Sequence, residues 1–600
     1  MSRDRASNAL ATTVLALLCL AASGCKSLQV WRVEADRVAD GIIERSQREA
    51  IRRTEPFTIE TPADALRRRL LLAQGLRVSG PASLGTDRLA PVPHWPGDRE
   101  PPEAGASGTP IVQVGPEVQI TLLQALQIAA RNNRGYQTAK EAVFIAALGL
   151  DLESQEFRNT YTGLLHSTVS RDESGPMAVG GVTGSGEASW SKRFRSGAAL
   201  TGRLGIDLVK LCTGGRDSAL GIFCDTSVSV PLLRGAGRHI VTEELTQAQR
   251  EVIYALYALE RQKRTLAVQV ATDYLRVLQQ LDQIKNATDN HDRLVQSAKR
   301  AERRGQAGRE KKAQVDEAQQ DVLRARVRVI NARDSYQGQL DGLKLTLGLP
   351  TDARIALDPR ELSTLVAPAE AAAAQVELDA VETSDMRGKL ELPVDQAIEL
   401  ALTKRLDLRA VQGRVVDAQR GVVVAADGLK ADLTLTATAA LGGRRGLGST
   451  TSAYPRPDEG VYSATASSDL PWERTAERNA FRTAYITLER AARSVQELED
   501  KTKLAIRGAL RKLAQTRKTF IIESRAVELA LSRVTGTKRL FEAERVEIQE
   551  VLKAQESLVQ AQDALTAALV SYRIAELELQ RDMGVLEVDE KGLWREYGPQ

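Results

Sequence analysis

The sequence is short of aromatic residues, and this shortage bears on how the chain packs. Only 24 of its 600 residues are aromatic, as 8 Phe, 5 Trp and 11 Tyr. Ala, Leu, Arg, Gln and Glu dominate long stretches instead, a composition typical of thin, elongated helical packing. We therefore do not expect the succession of compact domains, each of about 100–200 residues, that a chain of this length ordinarily forms.

The chain also lacks an excess of charge of one sign. Its 82 Lys and Arg residues nearly cancel its 78 Asp and Glu residues, which leaves a formal charge of +4. A nucleic-acid-binding surface needs a concentration of basic residues. The charge balance therefore gives no support for a nucleic-acid partner.

Histidines and catalytic motifs are scarce as well. The four histidines are far apart, and none has a second ligand at a spacing typical of a metal site: His94, His166, His239 and His291. No phosphate-binding loop, dinucleotide fingerprint, nucleophile elbow or zinc-protease motif is present. We predict no catalytic residue, no metal and no cofactor, and we interpret the glycine cluster of residues 180–186 as a loop.

The hydrophobic run near the N-terminus is short. Arg3 and Arg5 precede an apolar run over residues 9–22, which is below the length of about 20 residues that a membrane-spanning helix needs and is typical of a secretory signal. Residues 20–25 resemble the lipobox of bacterial lipoproteins. That resemblance implies that residues 1–24 are a signal peptide, that Cys25 becomes the acylated N-terminus, and that Lys26 directs the protein to the outer membrane. An ordinary cleaved signal with an incidental cysteine is the alternative.

Two further cysteines, Cys212 and Cys224, flank a turn-rich segment. Disulfides persist in the oxidising compartments to which an exported chain is delivered. We therefore expect a loop-closing disulfide between these two residues.

Proline is concentrated in one stretch. Residues 81–118 contain eight of the 20 prolines of the chain. Such a segment forms neither a helix nor a central strand, and it predicts a stiff tether. Residues 25–80, which precede it, are expected to form a lipid-anchored N-terminal segment.

The chain contains an internal duplication. Residues 120–129 align without gaps on residues 392–401, and a Gln-Ala pair coincides at an offset of 272. We predict a first repeat over residues 119–349, a linker over 350–390, a second repeat over 391–586 and a tail over 587–600. Thr121 and Gln124 have the spacing of a helix capping box, whereas Pro393 replaces the threonine in the second copy.

Both repeats contain segments in which apolar and polar residues alternate. In residues 432–439 Leu and Ala occupy one face while Asp and Thr occupy the other, and residues 226–232 and 462–467 read similarly. We predict about four membrane-spanning strands, over residues 160–233 in the first repeat and 430–470 in the second. Strands of a soluble sandwich are the alternative.

The remaining long segments have the spacing of coiled coils. Apolar residues recur at intervals of three and four along Leu266, Val270, Tyr274, Val277, Leu281 and Ile284, and at intervals of seven along Val551, Leu558, Leu565 and Tyr572. Each pattern predicts a long helix with a narrow apolar seam, which requires a partner helix.

From about residue 119 to 586 the chain resembles the TolC family of outer membrane efflux channels. The resemblance depends on the paired repeat starts, on residues 231–237 and 471–474 at the strand-to-helix junctions, and on residues 315–319 and 551–555 near the ends of the helical hairpins. The family usually has a glycine ten residues before the alanine of the last motif. Gly308 matches it, whereas Glu544 departs from it in the second repeat.

The resemblance implies an α+β membrane protein. Each protomer would contribute four strands to a trimeric, 12-stranded β-barrel in the outer membrane, continued into the periplasm by a barrel of helices. The implied function is passive conduction in a tripartite efflux or type I secretion system, with a periplasmic adaptor protein and an inner-membrane pump as partners. A lipid-anchored, periplasm-spanning coiled-coil scaffold without a pore is the alternative function.

The predicted periplasmic tip carries charges of opposite sign in the two repeats. The first hairpin end carries seven basic and two acidic residues over 299–312. At the second, four glutamates and one arginine occupy residues 542–550, flanked by Lys538, Arg539 and Lys553. We expect these charges to hold the periplasmic entrance shut, and the candidate gate residues are Arg303, Arg304, Gly308, Lys311, Lys312, Glu542, Glu544, Glu547 and Glu550. Exposed charges of this kind usually form solvated helix faces, which is the competing interpretation.

Overall fold

A computed structural model describes most of the chain. It covers residues 26–59, 65–89, 118–173, 179–211, 219–308, 311–362, 364, 390–449, 451–469, 472–543 and 545–598. Most of the predicted tether therefore lies outside the described residues, as do the predicted signal peptide and most of the linker between the repeats.

Helices and strands alternate in the same way in both repeats. The helices are α1 (Leu28–Ile51), α2 (Leu66–Ala73), α3 (Leu122–Asn132), α4 (Arg134–Gln155), α5 (Arg238–Val241), α6 (Glu243–Gln306), α7 (Lys312–Thr346), α8 (Val394–Lys404), α9 (Leu406–Gly428), α10 (Thr475–Glu542) and α11 (Ile548–Met583). The strands are β1 (Val118–Ile120), β2 (Thr160–Asp172), β3 (Val179–Arg193), β4 (Ala199–Leu211), β5 (Ala219–Pro231), β6 (Ile355–Leu357), β7 (Asp432–Gly442), β8 (Val461–Asp469), β9 (Glu587–Val588) and β10 (Trp594–Arg595).

The chain divides into two compact units, and each takes segments from both repeats. The first unit comprises Met1–Phe57, Ala142–Leu256 and Ala410–Ser494, and it contains the long strands. The second comprises Thr58–Glu141, Tyr257–Arg409 and Val495–Gln600, and it contains the helical hairpin ends and the starts of both repeats.

The first unit contains a six-stranded antiparallel sheet in the order β2-β3-β4-β5-β7-β8. The strands lie within the predicted ranges, but the prediction of about four strands is wrong, because the first repeat contributes four and the second repeat two. Strands β5 and β7 join the two repeats, with Phe223 opposite Gly442 and Pro231 opposite Thr434.

The interpretation of residues 180–186 as a loop is also wrong. These residues lie in β3, which pairs along 13 residues with β2 and along 13 with β4. A strand between two partners is held by backbone hydrogen bonds on both sides, so it does not need bulky side chains of its own. The glycines leave space for neighbours instead, since the Leu165 side chain lies against Gly186.

Every helix that joins the sheet does so at one end of it. Helix α4 leads into β2, β5 leads into α5 and α6, α9 leads into β7, and β8 leads into α10. The β3–β4 turn at this end spans only residues 194–198, whereas the β7–β8 connection at the opposite end spans residues 443–460. The two ends of the sheet are therefore distinct.

In the second unit the two repeat starts have the same structure. Ala125 and Ala129 of α3 are buried, as are their counterparts Ala397 and Ala401 of α8. The predicted capping box is present. The backbone amide of Gln124 donates to Thr121 Oγ1 at 3.3 Å, and the backbone amide of Thr121 donates to Gln124 Oε1 at 3.0 Å. Helix α8 begins after Pro393 without a side-chain cap.

The predicted seams of the long helices are buried in the second unit. Val270, Tyr274 and Val277 of α6 are fully buried, and Leu266, Val551 and Leu558 are nearly so. Leu281, Ile284, Leu565 and Tyr572 are half-buried. Burial and a hydrogen bond to Glu361 raise the pKa of the Tyr274 hydroxyl. The carbonyl oxygen of Ile120, 3.1 Å away, shares the single proton of this hydroxyl with Glu361.

Candidate functional site

One face of the six-stranded sheet is apolar and exposed. The register places alternate residues of neighbouring strands on the same side, so Leu204, opposite Ala188 and Cys224, defines this face. Its exposed large side chains are Leu165, Val169, Leu204, Ile206, Leu208, Val228 and Leu435. Because monomeric soluble proteins rarely leave so continuous an apolar surface uncovered, this face indicates contact with lipid or a partner.

Aromatic and basic residues lie near the ends of the strands on this same face. Tyr161 and Trp190 are opposite each other near the end at which the helices attach, and Lys192 follows Trp190 on the same face. Tyr462 and Lys210 lie towards the other end. Such residues are enriched at the two interfaces of a membrane, where one part of the side chain is apolar and the other wet.

The opposite face of the sheet is polar and carries small side chains. In β3 its residues are Thr183, Ser185, Glu187, Ser189 and Ser191, and in β7 they include Thr434, Thr436 and Thr438. Thr438 and Ser463 hydroxyls lie 2.6 Å apart across β7 and β8. Leu164 and Val461 are exposed apolar exceptions on this face, and Val209 and Phe223 are buried ones.

Charged residues form a cluster in the middle of the polar face. Glu187 of β3 is 3.6 Å from the Arg203 guanidinium of β4 and 3.2 Å from that of Arg444. Asp207 accepts the backbone amide of Arg445 at 3.0 Å. The sequence prediction missed these residues, although the strict alternation of polar and small residues over 182–191 indicates a strand with one polar face.

The ends of the two helical hairpins pack together in the second unit. Leu294, Ala298 and Ala301 of α6, Ala318 and Ala325 of α7, and Ile548 and Leu552 of α11 form one buried cluster. The guanidinium of Arg304 lies over the Phe541 ring at 5.0 Å. A cleft of about 350 Å³ beside this cluster is lined by Arg300, Arg303, Arg304, Lys538 and Glu542 above apolar residues of α11.

Most of the predicted gate residues lie at these hairpin ends. Arg303 and Arg304 are in the last turn of α6, Gly308 has a φ of 72° in the turn that follows, and Lys311 and Lys312 begin α7. Glu542 ends α10, Glu547 precedes α11, and Glu550 in its first turn pairs with Lys553 at 3.5 Å. Glu544 lies outside the described residues.

The predicted lipidation site, Cys25, also lies outside the described residues. So does Cys212, whereas Cys224 is a free, half-buried thiol in β5 opposite Leu204. The disulfide between Cys212 and Cys224 stays a prediction.

Carboxylates come together at one other place in the first unit. Glu153, Glu156 and Glu244 have oxygen atoms within 4.8 Å of one another, and two of the three residues are exposed. Glu156 accepts from the Arg193 guanidinium at 2.6 Å. This arrangement is an exposed ion-pair cluster, and we assign it no metal.

Comparison with known proteins identifies the fold. Residues 227–349 match the family model of the outer membrane efflux proteins. The resemblance to the TolC-family outer membrane channels is confirmed. The match covers the end of β5 and the helices α5, α6 and α7, and no curated protein matches the chain in sequence.

Solved outer membrane channels have the same fold over most of their length. CusC is similar with a TM-score of 0.54 and 14% sequence identity, over 78% of this chain and 93% of CusC. VceC of Vibrio cholerae is similar with a TM-score of 0.53 and 13% sequence identity, over 77% of this chain and 96% of VceC. CmeC of Campylobacter jejuni is similar with a TM-score of 0.53 and 12% sequence identity, over 77% of this chain and 85% of CmeC. Among the described residues, no helix is long and apolar enough to cross a membrane.

Proposed function

We propose that the chain is the outer membrane channel of a tripartite efflux or type I secretion system. The observation that carries the proposal is the six-stranded sheet with one continuous apolar face, one polar face and aromatic residues near its ends. A sheet of this kind fits a membrane wall with lipid on one side and water on the other. The proposal assigns no catalytic step, because substrates pass through without a bond being made or broken.

The free edges of the sheet argue for assembly with further copies. Within the part of the chain that the structure describes, strands β2 and β8 each have a partner strand on one side only. Backbone groups left unpaired within lipid cost several kcal/mol each, so a membrane-spanning sheet must close on itself. Three copies joined by pairing β8 of one protomer with β2 of the next would close a barrel of three times six, or eighteen, strands. This replaces the twelve strands that the resemblance implied.

The long helices supply the periplasmic part of the proposed conduit. Helices α6 and α10 contain 64 and 68 residues. At 1.5 Å per residue each is about 100 Å long. Paired with α7 and α11, they would form the helical barrel that continues the channel through the periplasm.

The hairpin ends are the proposed docking place of a periplasmic adaptor, which an inner-membrane pump would drive. The basic end of one hairpin would face the acidic end of its neighbour around the ring and hold the entrance shut. Changing Arg303, Arg304, Lys311 and Lys312 to Glu should raise the open fraction of single channels. High salt should open the unmodified channel, because screening weakens exposed ion pairs. An open fraction that is the same for the unmodified channel and the variant, at low and at high salt, would refute the gate.

Cys25 is the proposed lipid anchor. Helix α1 begins three residues later, and its first turns expose Leu28, Val30 and Trp31, with the Lys26 ammonium 4.6 Å from the Trp31 ring centroid. Apolar and aromatic side chains at this position suit the surface of a membrane. Mass spectrometry of the mature N-terminal peptide should find an acylated Cys25, and an unmodified or different N-terminus would refute the anchor.

Conductance in planar lipid bilayers tests the proposed function. The purified assembly should give discrete current steps, and adding the tip substitutions described above should make these steps more frequent. If neither the unmodified protein nor the tip variant conducts, the protein is instead a lipid-anchored scaffold without a pore.

A further inference from the structure

The β7–β8 connection folds back over the polar face of the sheet instead of extending away from its end. Strand β7 stops at Gly442, opposite Phe223, and so leaves the first four residues of β5, from Ala219, without a partner in β7. Gly442 has a φ of 77°, and a Cβ there would overlap the carbonyl oxygen of Ile222. Glycine is therefore required where the chain turns over the sheet.

Glycines in the strands allow this connection to pack closely against the sheet. A Cβ on Gly181 of β3 would lie 2.7 Å from a methyl group of Leu447, and one on Gly221 of β5 would lie 2.7 Å from the carbonyl oxygen of Gly443. Gly205 of β4 makes room for the Phe223 ring. The buried residues of this face are Gly181, Gly205, Asp207, Val209, Ala219, Gly221 and Phe223, and its other described residues are exposed or half-buried. The connection thus covers the polar face across three strands.

Backbone hydrogen bonds fix the returning part of the connection to the edge of β5. Beyond the end of β7, the Ile222 amide donates to the carbonyl of Ala453 and the Ala453 amide donates to the carbonyl of Leu220, both at 2.8 Å. The Leu220 amide donates to Ser452 Oγ at 3.1 Å. The connection is therefore tied down on both sides of residue 450, which itself lies outside the described residues.

Charged contacts hold the part that crosses the sheet. The Arg444 guanidinium pairs with Glu187 and stacks 4.4 Å from the centroid of the Phe223 ring. The amide of Arg445 donates to Asp207, while its side chain donates to the carbonyl of Thr451 at 2.7 Å. The arginine side chains at positions 444 and 203 are 60% and 53% exposed, against 22% for the Glu187 side chain and 7% for Asp207 as a whole residue. Asp225 of β5 lies opposite Arg203 on the same face and is half-buried. The most exposed charges of the cluster are therefore the guanidinium groups of Arg203 and Arg444.

We propose that residues 443–449 form a constriction at the outer end of the conduit, and that Arg444 gives this constriction a preference for anions. The inference depends on the proposed function, since the polar face lines a channel only if the sheet closes into a barrel. The proposed constriction would fill a barrel that is otherwise wide. Barrels of 16–18 strands leave an aqueous channel unless something fills it, and three inward-folded connections would narrow the channel that six strands per protomer make wide.

Labelling of an engineered cysteine from outside the cell tests the constriction independently of the periplasmic tip. Thr201 lies on the polar face of β4, nearer than Asp207 to the end where the helices attach. A Thr201→Cys variant with Cys212 and Cys224 changed to Ser is treated on intact cells with a bulky, membrane-impermeant maleimide. Replacing residues 444–449 by a short Gly-Ser linker should speed labelling by about tenfold or more, because a wide barrel is then left unfilled.

The outcomes of this experiment separate the two proposals. Equal labelling rates with and without residues 444–449 would overturn the constriction while leaving the channel intact. No labelling in either variant would show that no opening reaches the cell exterior, which would overturn the proposed function. Retention of the trimer by both variants, checked on a detergent gel, shows that the comparison is between assembled proteins.

Charge exchange tests the role of Arg444. In planar bilayers under a KCl gradient, Arg444→Glu should shift the reversal potential towards cation preference and raise the conductance, because Glu187 then faces another carboxylate. Adding Glu187→Gln to Arg444→Glu removes the opposing carboxylate without placing a like charge beside Arg203, so it should bring the conductance back towards that of the unmodified channel. Arg456→Glu is the matched control, since Arg456 is equally exposed in the same connection but pairs with Glu459. An identical reversal potential for Arg444→Glu and the unmodified channel would refute the assignment of anion preference to Arg444.

Discussion

The two repeats have kept the same helix starts and diverged in their strands. Residues 120–129 and 392–401 share their apolar pattern, and the alanines at the matched positions 125 and 397, and 129 and 401, are buried in both. The first repeat nevertheless contributes four strands of 13 to 15 residues, whereas the second contributes two strands of 11 and 9 residues and a long connection between them. The duplication thus preserved the helical framework while the first repeat supplied most of the sheet.

The long connection of the second repeat packs on strands of the first. Arg444 and Arg445 contact Glu187 and Asp207, which belong to strands of the first repeat. A widened sheet and a connection that covers it are therefore complementary features of the two copies. Substitutions that compare matched positions in the two repeats, or in their contacts, test this division of roles.

The largest effect is expected when a charge is placed on the apolar face. Ala437 and Thr438 are exposed neighbours in β7 with side chains on opposite faces. Ala437→Arg should destabilise the assembled barrel by about 2–4 kcal/mol, the cost of a basic residue near the middle of a bilayer. Thr438→Arg, which stays in water, should assemble normally. The fraction of trimer recovered from membranes measures the difference, and equal recovery would show that this face does not contact lipid.

The next effect concerns the buried alanines that the repeats share. Ala125→Leu and Ala397→Leu should each cost about 1–3 kcal/mol, because added methylenes do not fit a filled core. Similar losses at the two positions would support the equivalence of the repeat starts. Glu399→Leu, on the exposed side of α8, serves as the control and should leave the unfolding midpoint nearly unchanged. A large loss at only one of the two alanines would break the equivalence.

Changing the residue before the first helix should reduce stability by different amounts in the two repeats. Thr121→Ala removes the acceptor of the Gln124 amide and should cost about 1 kcal/mol. Pro393→Ala removes no side-chain cap and should cost clearly less, because α8 has none to lose. Denaturant midpoints of the two variants measure the contrast. Equal losses would mean that the capping box adds nothing to the first repeat.

The smallest effect is expected at a polar contact between the repeats. Burial and the nearby Asp282 raise the pKa of Asp563, although the Asn286 amide donates to it at 2.9 Å. A carboxyl whose pKa is higher in the folded than in the unfolded chain contributes to stability while it is protonated. Asp563 therefore loses this contribution as the pH rises from its ordinary pKa of 3.8 through its raised pKa in the folded protein. Asp563→Asn should therefore raise the melting temperature slightly at pH 7 and leave it unchanged in acid. A lower melting temperature at pH 7 would contradict this assignment.

The sequence was sufficient to predict the features that depend on local pattern. The seams of α6 and α11 follow from apolar spacing, and the capping box of Thr121 follows from residue types three positions apart. The number of strands did not follow, because β3 is rich in glycine and is held by its neighbours on both sides. The charged cluster around Glu187 was equally hidden, since its members come from β3, β4 and a connection more than 200 residues later. Such contacts are fixed by strand register, which a local pattern does not specify.

Electron cryomicroscopy of the protein reconstituted in lipid nanodiscs tests the central claim most directly. The account predicts three copies around one closed barrel of eighteen strands, with β8 of each protomer paired with β2 of the next and with density for residues 443–449 inside the barrel. A barrel of twelve strands, or copies whose sheets do not join, would contradict it.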